Sequence, residues 1–493
     1  MKASKISEHK YDKGKFVTPL NTFTSEIEKE KSWSHGRMPE YIWIALIIEK
    51  YGRKDGMIRV REILKNMSVI CPDLKTLRMS EILKLEISIQ KKIYSMMCSY
   101  ISRETLSPMT VFLTQTNTPA FVSFFYCNEL TVEERLETIC AIIKKTLNQH
   151  SLISTDVRFF VLYNELIRKR LCLQSQIQVE TLCKYPTLSE DDIEFELSRS
   201  MVCATELMTL NFHKADTEYI NNFWESVSKM TDCIPYNVII PKETFDISEY
   251  INDLYSVLSY LNTLFITSRP LDDEMSVVLG LATFSYKRFK EAYEHDLFNS
   301  ISGRSCIRCL IENYIMIKYL YKEKESNPNI WTDFKLYGIG QYKMTLSRYR
   351  DYNGPDNSHF NNNYIEYLVN EFKGEETVDM DTRVFKDKNM RDKAKYVGEK
   401  DLYMFYYDYD SSFEHGLWGA IRECSFLKCD NPAHKLHLIP DIDDICVLSS
   451  VLNDCVMVMN KMIFFLDELF GIPSHLKERI AGFYEQINNR VDS

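Results

Sequence analysis

Apolar side chains return at helical spacing along most of this chain, and proline or glycine seldom interrupts them. Pro39 stands at a first helical position before the run EYIWIALIIEKYG, which Gly52 closes. Further helices are expected over 56–67 and over 80–100, where Ile82, Leu85, Ile89, Ile93 and Met96 fall on one face. The same period marks 132–149, 154–174 and 193–210, then 247–268 in the second half. From 274 to 324 there is no proline, and the only glycines are Gly280 and Gly303, so a very long helical stretch is predicted there. Residues 108–127 differ. Proline and asparagine divide Val111, Phe112, Val122 and Phe124, a pattern of loop with short extended pieces.

The pattern predicts an all-α protein with two helical domains, 31–235 and 245–470. Pro235 and Pro241 mark the boundary between them. A polar, lysine-rich arm (1–30) precedes the domains, a helix over 441–470 closes the second, and a C-terminal helix (471–493) follows. Residues 350–400 carry an asparagine-rich run, an acidic block and a basic block, which suggest a charged insertion acting as a mobile cover.

Composition sharpens this picture at three points. With only Gly 15 and Pro 14 but Tyr 30 and Phe 27, the chain favours helices with short connections. The net charge of −10 argues against a generally basic nucleic-acid surface and leaves a local basic patch open. Neither a membrane span nor the apolar core of a secretory signal is legible, and 14 cysteines lack framework spacing. A cytoplasmic protein with reduced thiols and no membrane contact is expected.

Candidate chemistry gathers in two places. Arg304, Arg308 and Glu312 lie four apart on a helix otherwise built of Ile307, Leu310, Ile311, Ile315 and Ile317. Arginines on so apolar a helix require an acceptor inside the fold: Glu312, another carboxylate, a carbonyl or a bound phosphate. The second place is the stretch 406–440. Asp410, Ser411 or Ser412 is expected to cap a helix on which Ser412, His415, Gly416 and Gly419 share one face, open to a close approach. His415 suits general acid/base work, or a packing role with a carbonyl partner. Cys424, Cys429, His434 and His437 cluster, but at spacings outside the usual zinc patterns, so they are read as packing and turn residues with no metal. No Walker loop, G-x-G-x-x-G or H-E-x-x-H occurs, and no cofactor is expected.

Taken together, Arg304, Arg308, Glu312, Ser412, His415, Gly416, Cys429, Pro432, His434, His437 and Pro440 resemble the motifs of an uncharacterised bacterial all-helical family with HEPN (higher eukaryotes and prokaryotes nucleotide-binding) character, over about residues 250–470. Many HEPN domains are metal-independent ribonucleases of toxin–antitoxin and phage-defence systems. The resemblance implies a HEPN-like bundle in the second domain and a catalytic set of Arg308, His415, Glu312, Arg304 and Ser412. It further implies ligand contacts from Tyr409, Gly416, His434 and His437. HEPN ribonucleases usually carry Arg-x4–6-His on one helix, so a similar site built from Arg308 and His415 requires two helices to meet. RNA or a protein partner in a defence complex is the implied binding partner, and self-association stays open. The alternative reading is a non-catalytic module that binds a nucleotide, a nucleic acid or a protein.

Overall fold

The computed structural model describes residues 5–19, 32–171, 173, 175–207, 216–238, 240, 246–352, 359, 361–443 and 448–491. Helices dominate it, and no helix among these residues is long and apolar enough to cross a membrane. The chain divides into two compact units. The first comprises 1–236 together with 428–439, and the second 237–427 with 440–493. Residues 428–439, which the sequence pattern leaves inside the second domain, thus pack in the first unit.

In the first unit, α1 (Met38–Ile70) is interrupted at Gly52, where the period also breaks in the sequence. Trp43, Ile44 and Ile47 of its first half are fully buried against α2 (Leu152–Ile167) and its neighbours. The stretch expected to be a loose arm contains a hairpin, β1 (Lys10–Asp12) with β2 (Lys15–Val17), although residues 20–31 lie outside the described ones. Residues 108–127 also depart from expectation. Pro119 takes a first helical position, and Phe121 and Phe125, one turn apart, are both fully buried, so Pro119–Phe125 is a helix. The helix α3 (Phe195–Leu207) ends just before the undescribed residues 208–215, and a further helix, Thr217–Lys229, follows them in the same unit.

The second unit packs α4 (Ser248–Ser268), α5 (Asp273–Glu294), α6 (Ile301–Glu323), α7 (Ile330–Arg350) and α8 (Leu452–Phe470) around one apolar cluster. The long stretch predicted over 274–324 is two helices. Asp296 adopts φ +54, and Ser300 then caps α6 by accepting from the Gly303 N–H at 3.3 Å. Gly303 lies against the turn that precedes it, and a Cβ there would overlap the Leu297 carbonyl. Gly303→Ala is therefore expected to destabilise the second unit by about 1–3 kcal/mol. A thermal or urea midpoint unchanged by that substitution contradicts this packing.

The charged region is not a cover over its whole length. Val378, Phe385 and Ala394 are buried, and the Lys343 Nζ donates to the Glu375 and Val378 carbonyls at 2.7 Å each. Apolar residues between the charges hold 375–397 to α6 and α7. The asparagine-rich run lies mostly outside the described residues. At the C-terminal end α8 starts at Leu452 rather than near 441, and Gly471 separates it from Ser474–Val491.

Candidate functional site

The ridge predicted on α6 faces the segment 403–414, a π-helical turn (Tyr403–Tyr407) that continues into the short helix Asp408–Glu414. Arg304 is 6% exposed, donates from Nη2 to the Ser449 carbonyl at 2.8 Å and lies 3.6 Å from Asp410 Oδ1. Its guanidinium also sits 5.4 Å from the Tyr409 ring centre and 5.5 Å from that of Phe413. One turn further on, Arg308 Nη2 donates to the Tyr407 hydroxyl at 2.9 Å, and that hydroxyl donates to Glu312 Oε1 at 3.2 Å. The direct Arg308–Glu312 separation is 3.9 Å, so Tyr407 completes the pair. Tyr409 donates its hydroxyl to Glu423 at 2.7 Å; burial and that carboxylate push the phenol up to about 12.

Asp410 is the most perturbed acid of this network. Burial pushes its carboxyl up to about 7 against the pull of Arg304, with Asp454 raising it further. Burial also raises Asp454 itself. Among the described residues, Asp410 Oδ1 and the Nε atoms of Arg304 and Arg308 make no hydrogen bond.

The glycine-smoothed face does not form. The helix ends at Glu414, with His415 as its exposed C-cap, because Gly416 turns into the left-handed region at φ +55. The Leu417 N–H then reaches back to the Ser412 carbonyl at 2.9 Å, and a separate helix, Trp418–Ser425, begins. A Cβ at Gly419 would meet nothing within 4 Å, so no close approach requires glycine there. Arg304, Arg308, Glu312 and Tyr409 are brought together. Among the described residues no hydrogen bond or ion pair links them to His415 or to the Ser412 hydroxyl.

His434 and His437 belong to the first unit, whereas Tyr409 and Gly416 belong to the second. The chain enters the first unit along β4 (Phe426–Cys429), which pairs antiparallel with β3 (Pro235–Tyr236), Pro235 opposite Cys429. After a 3₁₀ turn, Pro432–His434, it returns as β5 (Leu438–Pro440) beside β4. This arrangement gathers Cys429, His434 and His437 around Cys233, with their donor atoms all within 4.8 Å of one another. Cys424 takes no part. It stays in the second unit, with its Sγ 3.0 Å from the Ala420 carbonyl.

Tyr407 and Cys233 were not singled out by any local pattern in the sequence, and no spacing rule connects Cys233 to residues almost two hundred positions later. Another pair is legible in the sequence. Arg288 and His295 stand in Arg-x6-His spacing at the end of α5, where His295 is the exposed C-cap and Arg288 pairs with Glu291 at 2.9 Å. The first unit also holds a cavity of about 1230 Å³, lined among others by Met57, Ile58, Phe159, Tyr163, Leu166 and Leu182. None of the residues singled out in the sequence lines it.

Among known proteins, residues 275–434 match a family model described as a family of unknown function (DUF5677). The match takes in the α6 ridge, His415, Cys429 and His434, and covers about a third of the chain. No curated protein and no solved structure matches.

Proposed function

We propose that the second unit is a non-catalytic protein-binding module, and that the α6 ridge is its scaffold rather than an active site. One observation carries this reading: both ridge arginines already have acceptors within their own unit, Arg304 the Ser449 carbonyl beside Asp410, and Arg308 the Tyr407 hydroxyl beside Glu312. A phosphate would have to displace those partners, and the polar groups it freed would lose their hydrogen bonds inside the fold. The neighbouring surface suits a protein. Met404, Phe405, Tyr409, Leu417 and Trp418 are all exposed within 404–418, and aromatic anchors of this kind dominate protein interfaces. The HEPN resemblance supplies the setting for such a partner, a bacterial defence complex.

A ribonuclease reading rests on a different observation. Arg288 in the last turns of α5 and His295 at its C-cap stand seven apart, the spacing that HEPN ribonucleases use. There His295 would be the acid/base, and Arg288 would steady the charge on phosphorus.

The two readings separate in one set of assays on the purified full chain in magnesium-free buffer. RNA is expected to stay intact. A Phe405→Ala/Trp418→Ala protein should keep the wild-type melting temperature while losing its crosslinked protein partner in the source cell. RNA cleavage abolished by His295→Ala reverses the assignment. Cleavage abolished by Arg308→Ala or His415→Ala returns the ridge to catalysis.

A further inference from the structure

We infer that Cys233, Cys429, His434 and His437 of the first unit form a structural zinc site. The donors are two thiols and two imidazoles with no carboxylate, a set that selects zinc over calcium or magnesium. Their geometry has the right scale. Cys233 Sγ lies 3.3 Å from His434 Nδ1 and 3.3 Å from His437 Nε2, and Cys429 Sγ lies 3.6 Å from His434 Nδ1. A tetrahedral ion with Zn–S of about 2.3 Å and Zn–N of about 2.0–2.1 Å places sulfur and nitrogen roughly 3.5 Å apart.

The surroundings orient the ligands. His434 Nε2 lies 3.0 Å from the Thr231 carbonyl and 3.1 Å from the Thr231 hydroxyl, so its proton resides on Nε2 and Nδ1 is left as a lone pair facing both sulfurs. The Ile234 N–H points at Cys429 Sγ at 3.4 Å and so helps to fix the sulfur in place. Lys435 and Leu436 both take left-handed backbone, φ +54 and +53, and this tight reversal swings His437 back until its carbonyl accepts from the Cys429 N–H at 3.0 Å. Two consecutive non-glycine residues in that region are strained, and a bound ion offsets such strain.

Four protein ligands close the coordination sphere and leave no open position, which marks the site as structural rather than catalytic. Its role follows from connectivity. The ion ties 428–439 to 231–236 and so closes a loop that contains most of the second unit. Clips across long loops remove the most chain entropy from the unfolded state. Binding converts two thiols to thiolates, releases two protons to solvent, and leaves the two thiolate charges balanced by the dication.

The test uses the full chain without a histidine tag, purified under reducing conditions and dialysed against zinc. Elemental analysis should find about one zinc per chain. Cobalt(II) in its place should give the visible d–d bands of a tetrahedral thiolate site. Cys233→Ser and His437→Ala should each lose most of the metal, whereas Cys424→Ser, the partner suggested by sequence spacing, should retain all of it. Should those variants fail to fold, the wild-type chain still decides, since a chelator is expected to lower its melting temperature and added zinc to restore it. Wild-type protein without stoichiometric zinc, a Cys233→Ser protein that keeps its zinc, or a melting temperature indifferent to chelation overturns the assignment.

Discussion

Glu206→Ala is expected to destabilise the first unit by about 3–5 kcal/mol, the largest effect of any single substitution considered for this chain. Glu206 is 1% exposed and stands between two buried arginines. Arg158 Nε reaches its Oε2 at 2.8 Å, and Arg37 bonds its Oε1. Trp33 flanks both guanidinium groups, at 5.2 Å from Arg37 and 5.8 Å from Arg158. Removing the carboxylate leaves two cations in a site that water does not reach. The Arg158 bond to the Cys203 carbonyl at 2.9 Å satisfies one donor and none of the charge. Glu206→Gln should fall between, since an amide oxygen still accepts from one arginine. Urea unfolding followed by circular dichroism, with the transitions of the two units resolved, measures the effect. A loss below about 1 kcal/mol would mean that the triad relaxes or hydrates.

Asp410→Asn should flatten the pH dependence of stability in the second unit. The native carboxyl is pushed up to about 7 by burial, against an ordinary value of 3.8. Between those pH values the folded state holds a proton that the unfolded state has released. Unfolding therefore releases a proton, and stability falls as pH rises through this window. Below about pH 4 and above about pH 7 both states agree and the contribution is constant. The slope can reach about 1.4 kcal/mol per pH unit where the difference is fullest. Asparagine resembles the protonated acid at every pH and removes the slope. Its absolute offset also contains the lost counter-charge of Arg304, so the comparison is of slopes. Glu40, pushed up to about 7, and Asp156, pushed up to about 6, lie in the first unit and act on its transition, whereas Asp253 of the second unit, raised by burial, adds the same trend to both proteins. Urea midpoints for both proteins at four pH values between 4.5 and 7.5 make the measurement. Parallel curves would show that Asp410 ionises normally inside the fold.

Helix type was legible wherever one apolar stripe ran unbroken. Val257, Leu258 and Leu261 of α4, and Ile307, Leu310, Ile311 and Ile315 of α6, are buried as their spacing requires. Element ends were less legible, because they depend on single residues. Asp296 and Gly416 each stop a helix by taking left-handed backbone, and composition around them still reads as helix. The candidate ridge was half legible. The i, i+4 spacing places Arg304, Arg308 and Glu312 on one line, and burial requires that line to find acceptors. Which acceptors they find, Asp410, Tyr407 and the Ser449 carbonyl, depends on how three distant segments meet.

By itself the sequence determined the helical class, the apolar faces and the need of buried arginines for partners, because each follows from side-chain period and charge within a few residues. Only the tertiary structure decided that Cys233 meets Cys429, His434 and His437 while Cys424 stays apart, and that His415 caps a helix end with no hydrogen bond to Arg308 among the described residues. The physical reason is range. Backbone periodicity is fixed by neighbours three or four residues away, whereas a coordination sphere is fixed by strand pairing between β3 and β4, and that pairing leaves no trace in the local order of residues.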